Sequence, residues 1–166
     1  MKKISILLFL SIILTGCLEE SKCPGDENPM SGYMLGEDIH TTQVENFMKA
    51  YRENNISSAK DMFASDAIFS VNDTEMSVED MMKGFSAGHK FFENITHSNV
   101  DTATMYYNNG RVFTNLWYDW SAVIKSSGET LTAKGYGWFE WQDGKVVEAY
   151  NAFDPTAYNA AMSTSK

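Results

Sequence analysis

Cysteine and histidine are scarce in this sequence of 166 residues, which contains only two cysteines, Cys17 and Cys23, and three histidines. No group of these residues has the spacing of a zinc site. The sequence also lacks a glycine-rich phosphate loop and a lysine context typical of pyridoxal-phosphate enzymes. We therefore predict no bound metal and no cofactor.

Basic residues are also few, because 13 lysines and arginines stand against 22 acidic residues and the net charge is -9. Without Lys2 and Lys3, which belong to the first segment, the net charge is about -11 by the same count. Such a chain repels a phosphate backbone, so nucleic acid is excluded as a predicted partner.

The only long apolar run lies at the N-terminus, where Lys2 and Lys3 precede Ile4 to Leu14. This run is too short for a permanent membrane span but suits a secretory signal. The tetrapeptide Leu14-Thr15-Gly16-Cys17 resembles the bacterial lipobox. The resemblance implies a signal peptide over residues 1–16 and a lipid on Cys17, which would anchor a bacterial lipoprotein to a membrane of the cell envelope, periplasmic or surface-facing. The alternative is an ordinary signal peptide with an incidental cysteine.

Residues 17–38 are rich in Glu, Ser, Pro, Gly, Asp and Asn and contain few large apolar residues. A segment of this composition buries too little surface to offset its ordering entropy. We predict a flexible acidic tether here. Cys23 would be unpaired in it, available at most for an intermolecular disulfide.

The predicted domain covers residues 39–160, with residues 161–166 as a tail, and its first half indicates helices. Thr42-Gln43-Val44-Glu45 is a capping-box pattern that opens the first helix. A shorter helix is expected near Ser57 to Ala64, a short strand over Asp66 to Val71, and a third helix from Ser77. The apolar stripe of the third helix is Val78, Met81, Met82, Phe85, His89 and Phe92. His89 on this stripe is either a hydrogen-bonded core residue or part of a pocket wall.

The second half indicates four strands joined by tight turns. Asp143-Gly144 suits the positive φ angles of a type I′ hairpin. Asp154 precedes Pro155 and is expected to accept a hydrogen bond in a turn. The predicted strands run from Ile95 to Tyr107, Arg111 to Lys125, Glu129 to Trp141 and Val146 to Asp154.

The last strand carries a family resemblance. Asp143-Gly144-Lys145-Val146-Val147-Glu148, followed by Phe153-Asp154, resembles the SnoaL-like branch of the nuclear-transport-factor-2-like superfamily. The resemblance implies an α+β fold, in which a cone-like curved antiparallel sheet wraps around N-terminal helices and has a pocket at its mouth. The superfamily includes isomerases, dehydratases, cyclases, epoxide hydrolases and non-catalytic members, so the fold leaves the activity open.

Register arithmetic predicts which face of the sheet forms the pocket. Two-residue loops at Asp143-Gly144 and Ser127-Gly128 would place Tyr136 opposite both Asn151 and Asp119. The face opposite Asp119 contains more apolar residues, and by this criterion alone it would be the core face. In epoxide hydrolases of this fold, however, a pocket-facing acid lies three residues before the terminal Asp, and this position is Asn151 here. The resemblance therefore favours the Asp119 face as the pocket, a prediction that a one-residue bulge would reverse.

The candidate catalytic residues are Asp119, as an acid–base carboxylate, and Tyr136, as a hydrogen-bond donor to a developing oxyanion. The alternative is that they form a hydrogen-bonded pair without a catalytic task. Asn151 cannot act as a general base, so the two-carboxylate arrangement of the epoxide hydrolases is not reproduced. The candidate ligand-binding residues are Trp117, Trp138, Asn151, His89 and Phe153.

Three functions remain open from the sequence. The favoured one is a tethered module that binds a small, largely apolar molecule, since methionines adapt to variable shapes. The second is an acid–base enzyme of the isomerase, dehydratase or hydrolase type that uses Asp119 with Tyr136. The third is a non-catalytic accessory protein that forms a homodimer. The methionines in question are Met48, Met62, Met81, Met82 and Met105.

Overall fold

The computed structural model describes residues 27–163, and the predicted signal peptide, Cys17 and Cys23 lie outside this range. The described chain forms seven β-strands, three α-helices and one 3₁₀ helix. In chain order these are β1 (Gly32–Leu35), α1 (Ile39–Arg52), the 3₁₀ helix (Ile56–Met62), β2 (Phe63–Val71), β3 (Thr74–Ser77), α2 (Val78–Gly88), β4 (Phe92–Tyr107), β5 (Val112–Ile124), β6 (Thr130–Gln142), β7 (Lys145–Phe153) and α3 (Thr156–Ser163).

All seven strands belong to one sheet with the order β1-β4-β5-β6-β7-β2-β3. Neighbouring strands are antiparallel except β2 and β7, which run parallel. The sheet is curved and unclosed, and helices cover one side of it. The predicted α+β fold with a curved sheet around N-terminal helices is confirmed. No helix within residues 27–163 has the length and apolar character needed to cross a membrane.

The hydrophobic core lies between the helices and one face of the sheet, which we call the inner face. Val44 of α1 and Met81 of α2 are fully buried there, against Leu116 of β5 and Phe139 of β6. Side chains alternate along a strand, so Trp117 lies on the opposite side, the outer face, and is 44% exposed. The described residues contain a complete core, as a domain that folds alone requires.

The sheet includes residues that the sequence analysis assigned to the tether. Residues 32–35, which were predicted to be part of the tether, form β1 and pair with β4. The first helix starts at Ile39, and its N-cap is Asp38 rather than the predicted Thr42. The Asp38 carboxylate accepts a hydrogen bond from the Thr41 backbone N–H at 2.8 Å, and a carboxylate at this position also complements the helix dipole.

The chain also continues in a helix beyond residue 160. Asp154 accepts a hydrogen bond from the Thr156 N–H at 2.9 Å, which confirms its expected role in the turn before Pro155. Tyr158 of α3 stacks on Phe92 with a centroid distance of 4.7 Å. This contact folds α3 back onto the sheet.

The β6–β7 hairpin has the predicted turn but a different register. Asp143 and Gly144 have φ angles of 52° and 74°, and Gln142 pairs with Lys145 as predicted. A register shift then occurs between Glu140 and Trp141, so that one residue of β7 bulges out. As a result Asn151 lies opposite Gly137, and the predicted pair with Tyr136 is wrong.

The β5–β6 connection is also longer than predicted. The N–H of Ile124 donates to the carbonyl of Glu129 at 2.8 Å, which makes a loop of residues 125–128 in place of the two-residue loop. Tyr136 consequently pairs with Trp117, and Asp119 pairs with Lys134. The register moves by two residues, which keeps each side chain on its face but changes its neighbours.

Candidate functional site

A cavity of about 530 Å³ opens between the inner face of the sheet and the helices α1, α2 and α3. This volume falls within the range of about 300–1,000 Å³ that is typical of small-molecule sites. The wall consists largely of apolar and aromatic side chains, among them Phe47, Met48, Phe69, Phe85, Leu116 and Phe139. Two of the five methionines that were singled out from the sequence, Met48 and Met81, belong to this wall.

The ring of Tyr118 lies close against the backbone of β6 at Gly135, and this contact shapes one wall of the cavity. A Cβ atom added to Gly135 would lie 2.1 Å from Cζ of Tyr118, so only glycine leaves room for that ring. Because the Tyr118 ring lies over Gly135, its hydroxyl reaches β7 and donates to Oδ1 of Asn151 at 2.8 Å. The phenol therefore spans the sheet below the cavity.

Asn72 joins the end of β7 to the turn between β2 and β3. It has a φ angle of 50°, a conformation that asparagine tolerates better than most residues. Its N–H donates to the carbonyl of Asn151 at 2.9 Å, and its Oδ1 accepts from the N–H of Phe153 at 3.1 Å. Asn72, Asn151 and Phe153 all line the cavity.

His97 of β4 contributes the only histidine side chain to the cavity wall in the described part of the chain. Its ring packs edge-on against Tyr118, with a centroid distance of 5.1 Å. Nη1 of Arg52 lies 3.3 Å from Nδ1 of His97. Burial, reinforced by the charge of Arg52, lowers the pKa of His97 from 6.5 to about 4. At neutral pH the ring is therefore uncharged.

Three tyrosines of the cavity, Tyr51, Tyr118 and Tyr158, are also uncharged at neutral pH. Burial raises the pKa of Tyr51 and Tyr158 above the ordinary value, and it raises that of Tyr118 to about 12. Among the residues that line the cavity, the one carboxylate is Asp73, which lies on an exposed turn. No cluster of metal-ligating side chains occurs within residues 27–163.

The structure separates the predicted site residues into two groups. Asn151 and Phe153 line the cavity on the inner face. His89 does not line it; its Nε2 donates to the backbone carbonyl of Tyr51 at 2.8 Å, so it ties α2 to α1. Trp117 and Tyr136 lie on the outer face.

A shallower groove includes Trp117, Asp119 and Tyr136 of the outer face. It shares Asn72, Tyr118 and Phe153 with the wall of the cavity. Asp119 accepts a hydrogen bond from Nδ2 of Asn99 at 2.7 Å. The hydroxyl of Tyr136 donates to Oδ1 of Asn115 at 2.7 Å. Each of the two candidate catalytic groups thus has a different hydrogen-bond partner, and the predicted row with Asn151 is not formed.

Trp138, the remaining predicted residue, also lies outside the cavity. Its ring stacks on that of Tyr150 with a centroid distance of 6.0 Å and an interplanar angle of 19°. It further contacts Phe113 edge-on at 5.7 Å. These rings form part of an aromatic stripe on the outer face.

A family model for the SnoaL-like domain matches residues 44–149, which is more than half of the chain. The chain belongs to the SnoaL-like domain family. A comparison with curated protein sequences gives no significant match.

Several solved structures have a fold similar to that of this SnoaL-like domain. It is similar to a candidate polyketide cyclase from Xanthomonas campestris pv. campestris, with a TM-score of 0.58, 14% identity and coverage of 73% of this chain and 94% of that one. It is also similar to a nuclear transport factor 2-like superfamily protein from Salmonella enterica serovar Typhimurium, with a TM-score of 0.56 and 15% identity; the match covers 68% of this chain and 86% of that one. A steroid delta-isomerase from Pseudomonas aeruginosa matches with a TM-score of 0.52 and 13% identity, over 78% of this chain and 90% of that one. At such identities the likeness shows the fold.

The polar residues of the SnoaL-like domain's cavity that the sequence did not single out include Asn72, His97 and Tyr118. Tyr118 precedes Asp119 in the strand, and since side chains alternate, the predicted pocket face excluded it. His97 follows Ile95 at the two-residue spacing of one strand face, a signal that could have identified it. Asn72 precedes Asp73 in a turn, and local sequence does not reveal that its side chain binds the backbone of β7.

Proposed function

We propose that this SnoaL-like domain binds a small, largely apolar molecule in the inner cavity. The observation that carries the proposal is the cavity itself, which combines an aromatic and aliphatic wall with a few polar groups around Tyr118. Such a combination is typical of sites that bury most of a small ligand and orient it by a few hydrogen bonds. A steroid delta-isomerase has the same fold, and a steroid belongs to this class of molecule.

The mouth of the cavity offers a test that separates binding from stability. Gly84 of α2 lines the cavity, and a Cβ added there meets no atom within 4 Å. We expect Gly84→Leu to raise the free energy of unfolding by about 1 kcal/mol, because leucine is the better helix former. The same side chain would occupy the mouth and weaken binding of 1-tetralone, a bicyclic ketone, by about tenfold, which is ~1.4 kcal/mol.

The matched control is Gly84→Ala, which gains helix propensity but leaves the mouth open. Titrations followed by two-dimensional NMR would measure affinity, and urea unfolding would measure stability. If the leucine and alanine variants bind the ketone equally well, the ligand does not enter through this mouth and the proposed site is wrong.

We also propose that the protein is anchored in the bacterial cell envelope by a lipid on Cys17. The support is the sequence pattern of Lys2 and Lys3, the apolar run and the Leu14-Thr15-Gly16-Cys17 motif. Acyl chains add about 0.8 kcal/mol per buried CH₂, and stable anchoring takes more than one chain.

Replacing Cys17 tests the anchor. In a bacterial host, we expect the protein to partition into a detergent phase and Cys17→Ser to move most of it to the aqueous phase. Cys23→Ser is the matched control and is expected to stay with the detergent. Retention of the Cys17→Ser variant in the detergent phase would exclude lipidation at this residue.

The other two functions stay predictions and concern the outer face. Asp119 and Tyr136 share the outer groove, although each is hydrogen-bonded to a different asparagine. The same face carries Trp117 and the aromatic stripe around Trp138, which is the kind of surface that a homodimer would bury. An acid–base reaction would therefore use the outer groove, which meets the cavity at Asn72, Tyr118 and Phe153.

A further inference from the structure

We propose that the ligand of the inner cavity presents acceptor oxygens, such as the carbonyls of a ketone, quinone or lactone, to three N–H donors of Asn72, Asn151 and His97. This inference rests on the proposed function, because it names the chemical class of the molecule that the cavity binds. It follows from how the acceptor atom of each of these side chains is already used.

Asn72 has its acceptor occupied by the backbone. Oδ1 accepts the N–H of Phe153 at 3.1 Å, which fixes the orientation of the amide because a backbone N–H can only donate. The Nδ2 group has no partner within residues 27–163, and the residue lines the cavity. The two N–H bonds of Asn72 are therefore available to a ligand.

Asn151 repeats this arrangement next to Asn72. Oδ1 accepts the hydroxyl of Tyr118 at 2.8 Å, and the Nδ2 group has no partner among the described residues. A backbone hydrogen bond of 2.9 Å joins the two asparagines, so their free amide groups lie on adjacent segments of the cavity wall.

His97 supplies the third donor. Nδ1 lies 3.3 Å from Nη1 of Arg52, and a guanidinium can only donate, so Nδ1 is the acceptor. In the neutral ring the proton is then on Nε2, which has no partner among the described residues. The ring packs against Tyr118, whose hydroxyl binds Asn151, so His97 and Asn151 contact the same phenol.

The three side chains therefore offer N–H donors near Tyr118, while the one carboxylate of the cavity wall, Asp73, lies on an exposed turn. A donor that a ligand buries without a partner costs about 1–3 kcal/mol. A hydrocarbon would leave these donors unpaired, whereas a carbonyl oxygen can accept from them.

Three compounds of one shape test this match: 1-tetralone, 1-tetralol and tetralin, titrated into a chain beginning at residue 27 and followed by NMR. We expect the ketone to bind about tenfold more tightly than the hydrocarbon, since one satisfied donor is worth about 1 kcal/mol or more, and the alcohol, whose oxygen also accepts, to lie between the two. Equal affinities of ketone and hydrocarbon would overturn the inference and leave the proposed function standing. Failure of all three to shift any cavity resonance would overturn both.

A single variant tests the donor at Asn72. Asn72→Asp keeps Oδ1 for the Phe153 N–H and replaces the free donor with an acceptor. We expect it to weaken ketone binding by about tenfold and to leave tetralin binding unchanged. Asn94→Asp is the matched control, because Asn94 also has a positive φ angle, 53°, but is exposed and lies outside the cavity wall. If Asn72→Asp lost affinity for the ketone and for the hydrocarbon equally, the substitution would have disrupted the cavity in general, and the assignment of Asn72 as a donor would be wrong.

Discussion

Replacing Asp38 with alanine is expected to lower the free energy of unfolding by roughly 2–4 kcal/mol, the sum of a lost helix cap and of hydroxyls left without their acceptor. Asp38 accepts hydrogen bonds from the Thr41 N–H at 2.8 Å, Tyr106 at 2.7 Å and Thr104 at 3.0 Å. Thr104 is fully buried and is also bonded to Thr114. One carboxylate thus joins the start of α1 to β4.

Urea unfolding of the variant would measure this loss, and Asp154→Ala is the matched control. Asp154 also accepts the N–H of a residue in the following helix, Thr156, but it is exposed. We expect the control to lose about 1 kcal/mol or less. A loss in Asp38→Ala no larger than that of the control would show that the bonds to Thr104 and Tyr106 contribute nothing.

The Asp38 network also predicts a dependence on pH. Burial raises the pKa of Asp38, but the hydrogen bonds from Thr41, Tyr106 and Thr104 and the nearby His40 outweigh it, so the pKa lies below 3.8. A lowered pKa in the folded state adds stability above the unfolded pKa, and this stability is lost as the pH falls through the folded pKa. We therefore expect Asp38→Ala to lose less stability than the original protein when the pH falls below about 4.

Local patterns in the sequence indicated most of the helices and strands, but not β1, β3, α3 or the cap of α1. Thr42-Gln43-Val44-Glu45 fits the usual capping-box pattern, whereas Asp38 forms its box with Thr41 in place of the usual Glu or Gln. Two further partners of Asp38, Thr104 and Tyr106, are 66 and 68 residues away in the chain. A sequence window contains Thr41 but not these two tertiary contacts.

The predicted site shows a similar limit. Asp143-Gly144 determined the turn correctly, because positive φ angles are a local property of these residues. The extra residue that bulges from β7 just after the turn has no such signature, and it moves Asn151 from the row of Tyr136 to the opposite face of the sheet. The apolar content of the Leu116 face indicated the core correctly, and the cavity proved to be on that same side.

Lowering the pH from 6.5 toward 4 is expected to destabilise the protein through His97. The folded pKa of His97, about 4, lies below the unfolded value of 6.5, so the unfolded chain binds more protons in this window. The stability is fully present above pH 6.5 and is lost as the pH falls, at a limiting slope of about 1.4 kcal/mol per pH unit. Between pH 6.5 and 5 this amounts to roughly 2 kcal/mol at most.

His97→Asn separates this effect from other titrating groups, because asparagine keeps an acceptor for Arg52 and cannot take up a proton. We expect the variant to lose less stability than the original protein between pH 6.5 and 4.5, measured by urea unfolding at a series of pH values. The Asp38 effect falls at lower pH, so the two windows are distinct. Nitrogen NMR of the His97 ring would check the cause directly: a neutral ring at pH 6 with its proton on Nε2 agrees with burial and the Arg52 contact. A ring that is already charged at pH 6 would contradict both the pH dependence and the donor that His97 offers to the cavity.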